Sequence, residues 1–342
     1  MTHSEPRTPG TGIPMLTTES LKREFHTRSG TVEAVLGIDM TVHPGEIVGL
    51  LGPNGAGKTT TMRMLTTLLT PTGGQARIVG HDLRSDPAGV RGRVGYVAQA
   101  SGVDPACTVE EELVHQARLH GLPLRRARAR TADLVDSLDL EGLTSRRTGE
   151  LSGGQRRRLE VAIGLVHDPP LMFLDEPTTG LDPQSRSNLW NHVRRLRDTL
   201  GTTVLLTTHY MDEADALCDR VLIVDHGAIV AEGRPSDLKH EVGGDVVRIE
   251  VPGDAERARS LLAFHQDELP GVSLVERADD TVRILARDGE RIMVDLLRVL
   301  VDGGVHASGV NVSRPTLEDV FLDITGRSLR DTAPLTASAP GA

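Results

Sequence analysis

A chain of 342 residues, 25% charged and only 2% aromatic, holds enough material for two domains with a sizeable core. Its formal net charge of −10 and pI near 5.7 exclude holding nucleic acid by overall attraction, and its two cysteines, Cys107 and Cys218, form neither a disulfide framework nor a zinc pattern, as expected of a reducing compartment. The longest apolar runs, such as VLIV before Asp225, fall far short of the ~18 residues of a membrane-spanning helix, and no signal-peptide core opens the sequence.

Residues 1–15 carry Pro6, Pro9, Gly10, Gly12 and Pro14 among few apolar side chains and are expected to lack fixed structure, as are 328–342. From 16 to 240, short apolar runs alternate with longer helical patterns, which predicts an α/β domain with a mostly parallel sheet. EIVGLLG (46–52) predicts a buried strand. KTTTMRMLTTLL (58–69) predicts a helix, with Met62, Leu65 and Leu69 in register. Between them Gly52, Asn54, Gly55, Ala56 and Gly57 lead into Lys58 and Thr59 with the spacing G-x-x-x-x-G-K-[ST]. In such a loop bare backbone N–H groups close around phosphate oxygens at the positive end of a helix. Lys58 then reaches the β and γ phosphates of a nucleotide, Thr59 ligates Mg²⁺, and Thr60 meets the α phosphate. The alternative is a glycine-rich turn that happens to precede a helix.

Further along, TVEEELVHQARLHGL (108–122) predicts an amphipathic helix, equally consistent with ordinary packing and with a partner-facing surface. At Leu151, LSGGQRRRLEVAIGL places Ser152, Gly153 and Gly154 ahead of a helix whose apolar face runs Leu159, Ala162, Ile163 and Val166. Serine and two glycines at a helix start leave N–H groups and a hydroxyl for an anion, a second such site. PLMFLDEP (170–177) predicts a strand buried on both faces that delivers Asp175 and Glu176 to its carboxyl end, where ligands sit in open α/β sheets. Asp175 is the candidate for the metal shell and Glu176 for the general base acting on attacking water; taken alone, Glu176 is equally a surface residue capping the next turn. TTVLLTT predicts one more buried strand, with His209 just past its end. Arg125, Arg126, Arg128 and Arg130, with Arg156, Arg157 and Arg158, are read as solvated helix faces; a nucleic-acid patch is the alternative, disfavoured by the absence of interleaved aromatics. From 245 to 327 a strand, a helix, two strands about Ala278–Asp280 and a second helix predict a small α+β domain.

In order, the glycine loop at Gly52–Thr60, Gln99 closing VGYVAQ, Leu151–Gln155, the Asp175–Glu176 pair, Gly180-Leu181-Asp182 and His209 resemble the ATP-binding cassette family. The resemblance implies a P-loop ATPase cassette over 16–240, with a helical signature subdomain at about 100–150, that takes ATP and Mg²⁺ and assembles as a homodimer. It implies that Gln99 contacts the metal, that Asp182 belongs to a loop crossing the dimer, that His209 contacts the γ phosphate and that Phe25 stacks on adenine. Each ATP then lies between the Lys58 loop of one copy and the Ser152 helix of the other. GPNGAGKTTTMRML, LSGGQRRRLE, THYMDEAD and RPTLEDVFLDITGR (314–327) resemble the ATP-binding subunits of daunorubicin/doxorubicin-resistance exporters. That branch implies antibiotic or multidrug export through a separate membrane-spanning permease, at the cytoplasmic face of the cell membrane. The C-terminal domain is expected to pack on a cassette through Leu317, Val320, Phe321 and Ile324. Two rival classes are a soluble ATPase of the family acting on the ribosome or on nucleic acid, and a sensor module that binds ATP without turnover, the latter disfavoured by Glu176 and His209.

Overall fold

The computed structural model describes residues 13–28, 30–100 and 102–326, so the expected unstructured tails lie outside the described residues apart from 13–15. The chain divides into two compact units with the boundary between Pro235 and Ser236.

The first unit opens with strands β1 (Leu16–Thr27), β2 (Gly30–Val42) and β3 (Ile47–Leu51), then helix α1 (Lys58–Leu65) and strands β4 (Gly73–Ile78) and β5 (His81–Asp82). Helix α2 (Pro87–Arg91) and strand β6 (Val94–Val97) follow, then helices α3 (Val109–Leu119), α4 (Leu124–Ser137) and α5 (Gly153–Gly164). Strand β7 (Leu171–Asp175), helix α6 (Pro183–Leu200), strand β8 (Thr203–Thr208), helix α7 (Met211–Leu217) and strands β9 (Arg220–Asp225) and β10 (Ala228–Gly233) complete it.

Six strands form a sheet in the order β10-β9-β3-β8-β7-β6, parallel except for the edge strand β10. β3, β7 and β8 are buried along their whole length, as continuous apolar runs require in a sheet covered on both faces. The parallel sheet thus matches expectation, but four further strands form a separate antiparallel sheet, β2-β1-β4-β5, that the alternation of strands and helices did not announce. Leu16, Leu21, Ile38, Ile78, Met62, Leu65, Val48, Leu50 and Phe173 share one core cluster that joins this sheet to α1 and the parallel strands. Helix α1 ends four residues earlier than its apolar spacing predicts. The Thr66 hydroxyl folds back on the Met62 carbonyl at 2.8 Å, and Thr67 turns left-handed at φ 63°.

Helix α8 (Pro235–Glu241) lies at the boundary. Beyond it the second unit comprises β11 (Asp245–Glu250), α9 (Ala255–Phe264), β12 (Val272–Ala278), β13 (Thr281–Ala286), α10 (Gly289–Asp302), β14 (Gly309–Ser313) and α11 (Leu317–Thr325). Its sheet is antiparallel in the order β12-β13-β11-β14, with Val247, Ile249, Ile284, Leu296 and Leu300 in a core of its own. In α11, Leu317, Val320 and Phe321 are buried whereas Ile324 is 41% exposed. Thr316 and Asp319 cap that helix reciprocally, and Asp319 also accepts from Arg283 at 2.9 Å and Arg248 at 2.7 Å. TLED therefore closes both a helix start and an ion-pair network.

Candidate functional site

β3 runs into the glycine loop, and Gly57 caps α1 at φ 100° with no side chain satisfying the first turn. A Cβ there would stand 2.5 Å from the Ala34 carbonyl oxygen, so both backbone angle and space demand glycine. Gly52 donates its N–H to the Thr208 carbonyl at 3.3 Å, which sets the loop beside the end of β8. Asn54 and Gly55 are exposed, Ala56 is buried, and Thr60 is half-buried on α1. Lys58 is only 4% exposed. Its Nζ donates to the carbonyls of Gly52 at 2.7 Å and Pro53 at 2.9 Å and lies 3.8 Å from Glu176 Oε1. Burial pulls the Lys58 pKa down, opposed by the charges of Glu176 and Asp175.

At the end of β7, Asp175 and Glu176 are both buried, which removes the reading of Glu176 as a surface cap. Asp175 Oδ1 accepts from the Thr207 hydroxyl at 2.6 Å and from the Thr59 hydroxyl at 3.1 Å. The Glu176 N–H donates to Thr207 Oγ1 at 2.9 Å. Its Oε2 accepts from the Gln99 amide at 3.1 Å and the Thr179 hydroxyl at 3.0 Å, and its Oε1 lies 3.3 Å from His209 Nδ1. Contact with His209 holds the carboxyl below its ordinary range against the effect of burial, with help from the charges of His209 and Lys58 and from Thr179. Nearby, burial and the Asp175 charge push the Tyr96 hydroxyl up to about 12.

Lys58, Thr59, Gln99, Asp175, Glu176 and His209 thus form one connected cluster. Ser152, Gly153, Gly154 and Asp182 gather elsewhere. Ser152 and Gln155 cap α5 reciprocally, Asp182 caps α6 through Ser185, and a Cβ on Gly154 would stand 2.6 Å from Ser185 Oγ. Among the described residues no hydrogen bond or ion pair joins this second set to the first. Phe25 sits on β1 opposite Val32, half-buried, with the Arg23 guanidinium 4.6 Å from its ring centre.

Thr59 Oγ1 and Asp175 Oδ1 are hard oxygen donors of the kind Mg²⁺ prefers. The donor set therefore fits Mg²⁺ brought in with a nucleotide.

Several residues, at the site and away from it, escaped the sequence. Arg157, read as a solvated helix face, is buried and donates to four backbone carbonyls; Arg158 bonds to the Leu138 and Asp139 carbonyls, and Arg130 to Leu165 and Asp168. Glu213, fully buried, accepts the Trp190 indole N–H at 3.0 Å just after His209, and burial raises its pKa. No periodicity separates these from surface charges. Thr207, a polar residue closing a buried apolar strand, did carry a signal.

Residues 35–179 match the family model described as ABC transporter, and 233–325 match the ATP-binding protein DrrA1-3-like C-terminal domain. The chain is 44% identical to the daunorubicin/doxorubicin resistance ATP-binding protein DrrA of Streptomyces peucetius, over 87% of this chain and 89% of that protein. It is 41% identical to the Nod factor export ATP-binding protein I of Ralstonia nicotianae, over 97% of this chain and 100% of that protein. Its structure is similar to cbiO1 from Clostridium perfringens, part of the ABC transporter complex cbiONQ, with TM-score 0.61 and 27% identity over 75% of this chain and 97% of that one.

Proposed function

The chain belongs to the ATP-binding cassette transporter family as an ATP-hydrolysing subunit, and from that premise we propose that it powers export of a drug-like or hydrophobic compound through a separate membrane-spanning subunit. The observation that carries this reading is that likeness to relatives named for drug resistance and for Nod factor export runs through both units, the second with a family model of its own. No helix among the described residues is long and apolar enough to cross a membrane. In this reading the spans come from a permease, and the subunit works at the cytoplasmic face of the membrane.

The mechanism follows from the two separate clusters. Two copies meet head to tail, so that the open first turn of α1 in one and the Ser152 helix start in the other hold a single ATP. Lys58 exchanges the Gly52 and Pro53 carbonyls for the β and γ phosphates, a trade of neutral acceptors for charged ones. Thr59 and Asp175 would hold Mg²⁺, which would supply neutralisation of charge on those phosphates. Glu176, ionised, accepts the proton of the attacking water, while Gln99, Thr179 and His209 fix its carboxylate. As Lys58 turns to the phosphates, Glu176 loses a cation that depressed its pKa and becomes a stronger base. Closing a dimer from about 1:99 to 99:1 takes roughly 5.5 kcal/mol, and two nucleotides with several charge-assisted bonds of about 1.5 to 3 kcal/mol each suffice.

The test is ATP-dependent uptake of doxorubicin into inside-out vesicles from cells producing this chain together with a candidate permease of about six spans, sought in the neighbouring reading frame. Uptake with the parental chain and none with Lys58→Ala is expected. Equal accumulation with both would remove the reading.

A further inference from the structure

Arg157 lies one turn inside α5, the helix that starts at Ser152, and only 7% of it is exposed. Its guanidinium donates to the carbonyls of Pro177 at 2.7 Å, Ala98 at 2.7 Å, Asp175 at 3.0 Å and Glu176 at 3.4 Å, and to the Glu160 carboxylate at 2.7 Å. A rigid five-donor fork fixes the groups it touches relative to one another. Three of these carbonyls bracket Glu176, and the fourth belongs to the residue before Gln99.

Glu176 sits at φ 44°, a region that a non-glycine side chain seldom occupies and that persists only where the surroundings over-determine it. Here the surroundings do so from two sides. Thr207 takes its N–H, and Arg157 takes the carbonyls of Glu176 and of both its neighbours.

We propose that Arg157 is the positioning residue for Glu176, holding its strained backbone and the Gln99 segment in register with the Ser152 helix. The proposal rests on Glu176 being the base. It extends that reading because α5 carries the partner-facing helix start at one end and grips the hydrolytic end of its own chain through Arg157. A displacement of the helix on one nucleotide therefore reaches the base acting on the other.

The test is a double-mutant cycle on the purified full chain, reading nucleotide affinity, the number of nucleotide-binding sites and single-turnover hydrolysis. Arg157→Ala should leave nucleotide Kd within about 3-fold and lower the hydrolysis rate by about 10- to 10²-fold, the scale expected when a catalytic group is displaced. In a Glu176→Gln background the same change should lower the residual rate by less than about 2-fold, because there is no base left to misplace. Arg157→Lys, which keeps the charge without the fork, should recover part of the rate and serves in the same cycle if the alanine variant does not fold. Losses that multiply, a rate that falls only in step with lost binding sites, or an unchanged rate in Arg157→Ala would overturn the proposal. Parental hydrolysis by Glu176→Gln alone is a distinct result: it would remove the base, and the positioning role with it.

Discussion

Two helix starts carry the candidate site, and they are prepared in opposite ways. The first turn of α1 has a left-handed glycine at its cap and no side-chain acceptor, while the amine of Lys58 beside it is buried against its own loop. The first turn of α5 is exposed and closed on itself, Ser152 accepting from the Gln155 N–H and Gln155 accepting from that of Ser152. Solvent access explains the difference. A buried ammonium must find acceptors within the protein before any ligand arrives, whereas a surface helix start can be capped cheaply and still respond. While its oxygen accepts from Gln155, the Ser152 hydroxyl keeps a proton to donate. In the proposed mechanism one half therefore exchanges internal partners for phosphate, and the other adds phosphate to a cap already made.

Glu176→Gln probes this contrast most strongly. The amide keeps the shape and removes the proton acceptor, so kcat should fall by about 10²- to 10⁴-fold with ATP binding retained. Size-exclusion chromatography with ATP should then show a trapped dimer. A parental hydrolysis rate would mean that the buried half is not the hydrolytic half.

Lys58→Ala comes next. Losing two charge-assisted bonds of at least about 1.5 kcal/mol each should weaken nucleotide binding by about 10²-fold or more, read by titration calorimetry. Unchanged affinity would show that the amine never leaves the Gly52 and Pro53 carbonyls, and the exchange described for this half would be wrong.

Ser152→Ala should act differently in kind. Losing the cap costs about 1 kcal/mol of helix stability, and losing the donor should abolish the ATP-driven dimer in a Glu176→Gln background while leaving the affinity of the monomer within about 2-fold. A dimer that survives would place the ligand away from α5.

How far the sequence disclosed this contrast depends on the range over which each feature is encoded. The loop from Gly52 to Thr59, the burial of β7 behind Asp175 and the glycines at 153 and 154 follow from local spacing, and the structure has the loop ahead of a helix, the strand buried and the glycines at a helix start. The antiparallel sheet was hidden because the step that joins its two local hairpins, β1 with β4, pairs residues 16–22 with 73–78, across a separation no local pattern spans. Arg157 was hidden for another reason. It stands among three consecutive arginines, and only the carbonyls left at the end of β7 decide which one turns inward. The left-handed Glu176 belongs to the same class, since neither neighbour is a glycine that would announce it.

The smallest effect sharpens the comparison most, because Glu176 and Lys58 titrate and Ser152 does not. The Glu176 carboxyl is held below its ordinary value of 4.5, so the acid limb that it imposes on kcat/KM lies below pH 4.5, and its contribution to stability is present above the unfolded value and is lost as pH falls through the folded one. The Lys58 value lies below its ordinary 10.5, so the amine gives up its proton earlier in the folded protein than in the unfolded chain, and the alkaline limb shifts to lower pH. Removing the Lys58 cation should move the Glu176 limb upward. Ser152→Ala, lacking any titrating group of its own, should scale the pH profile of kcat/KM without moving either limb; a limb that moved with Ser152 would mean that the exposed helix start already sits against Glu176 before ATP arrives.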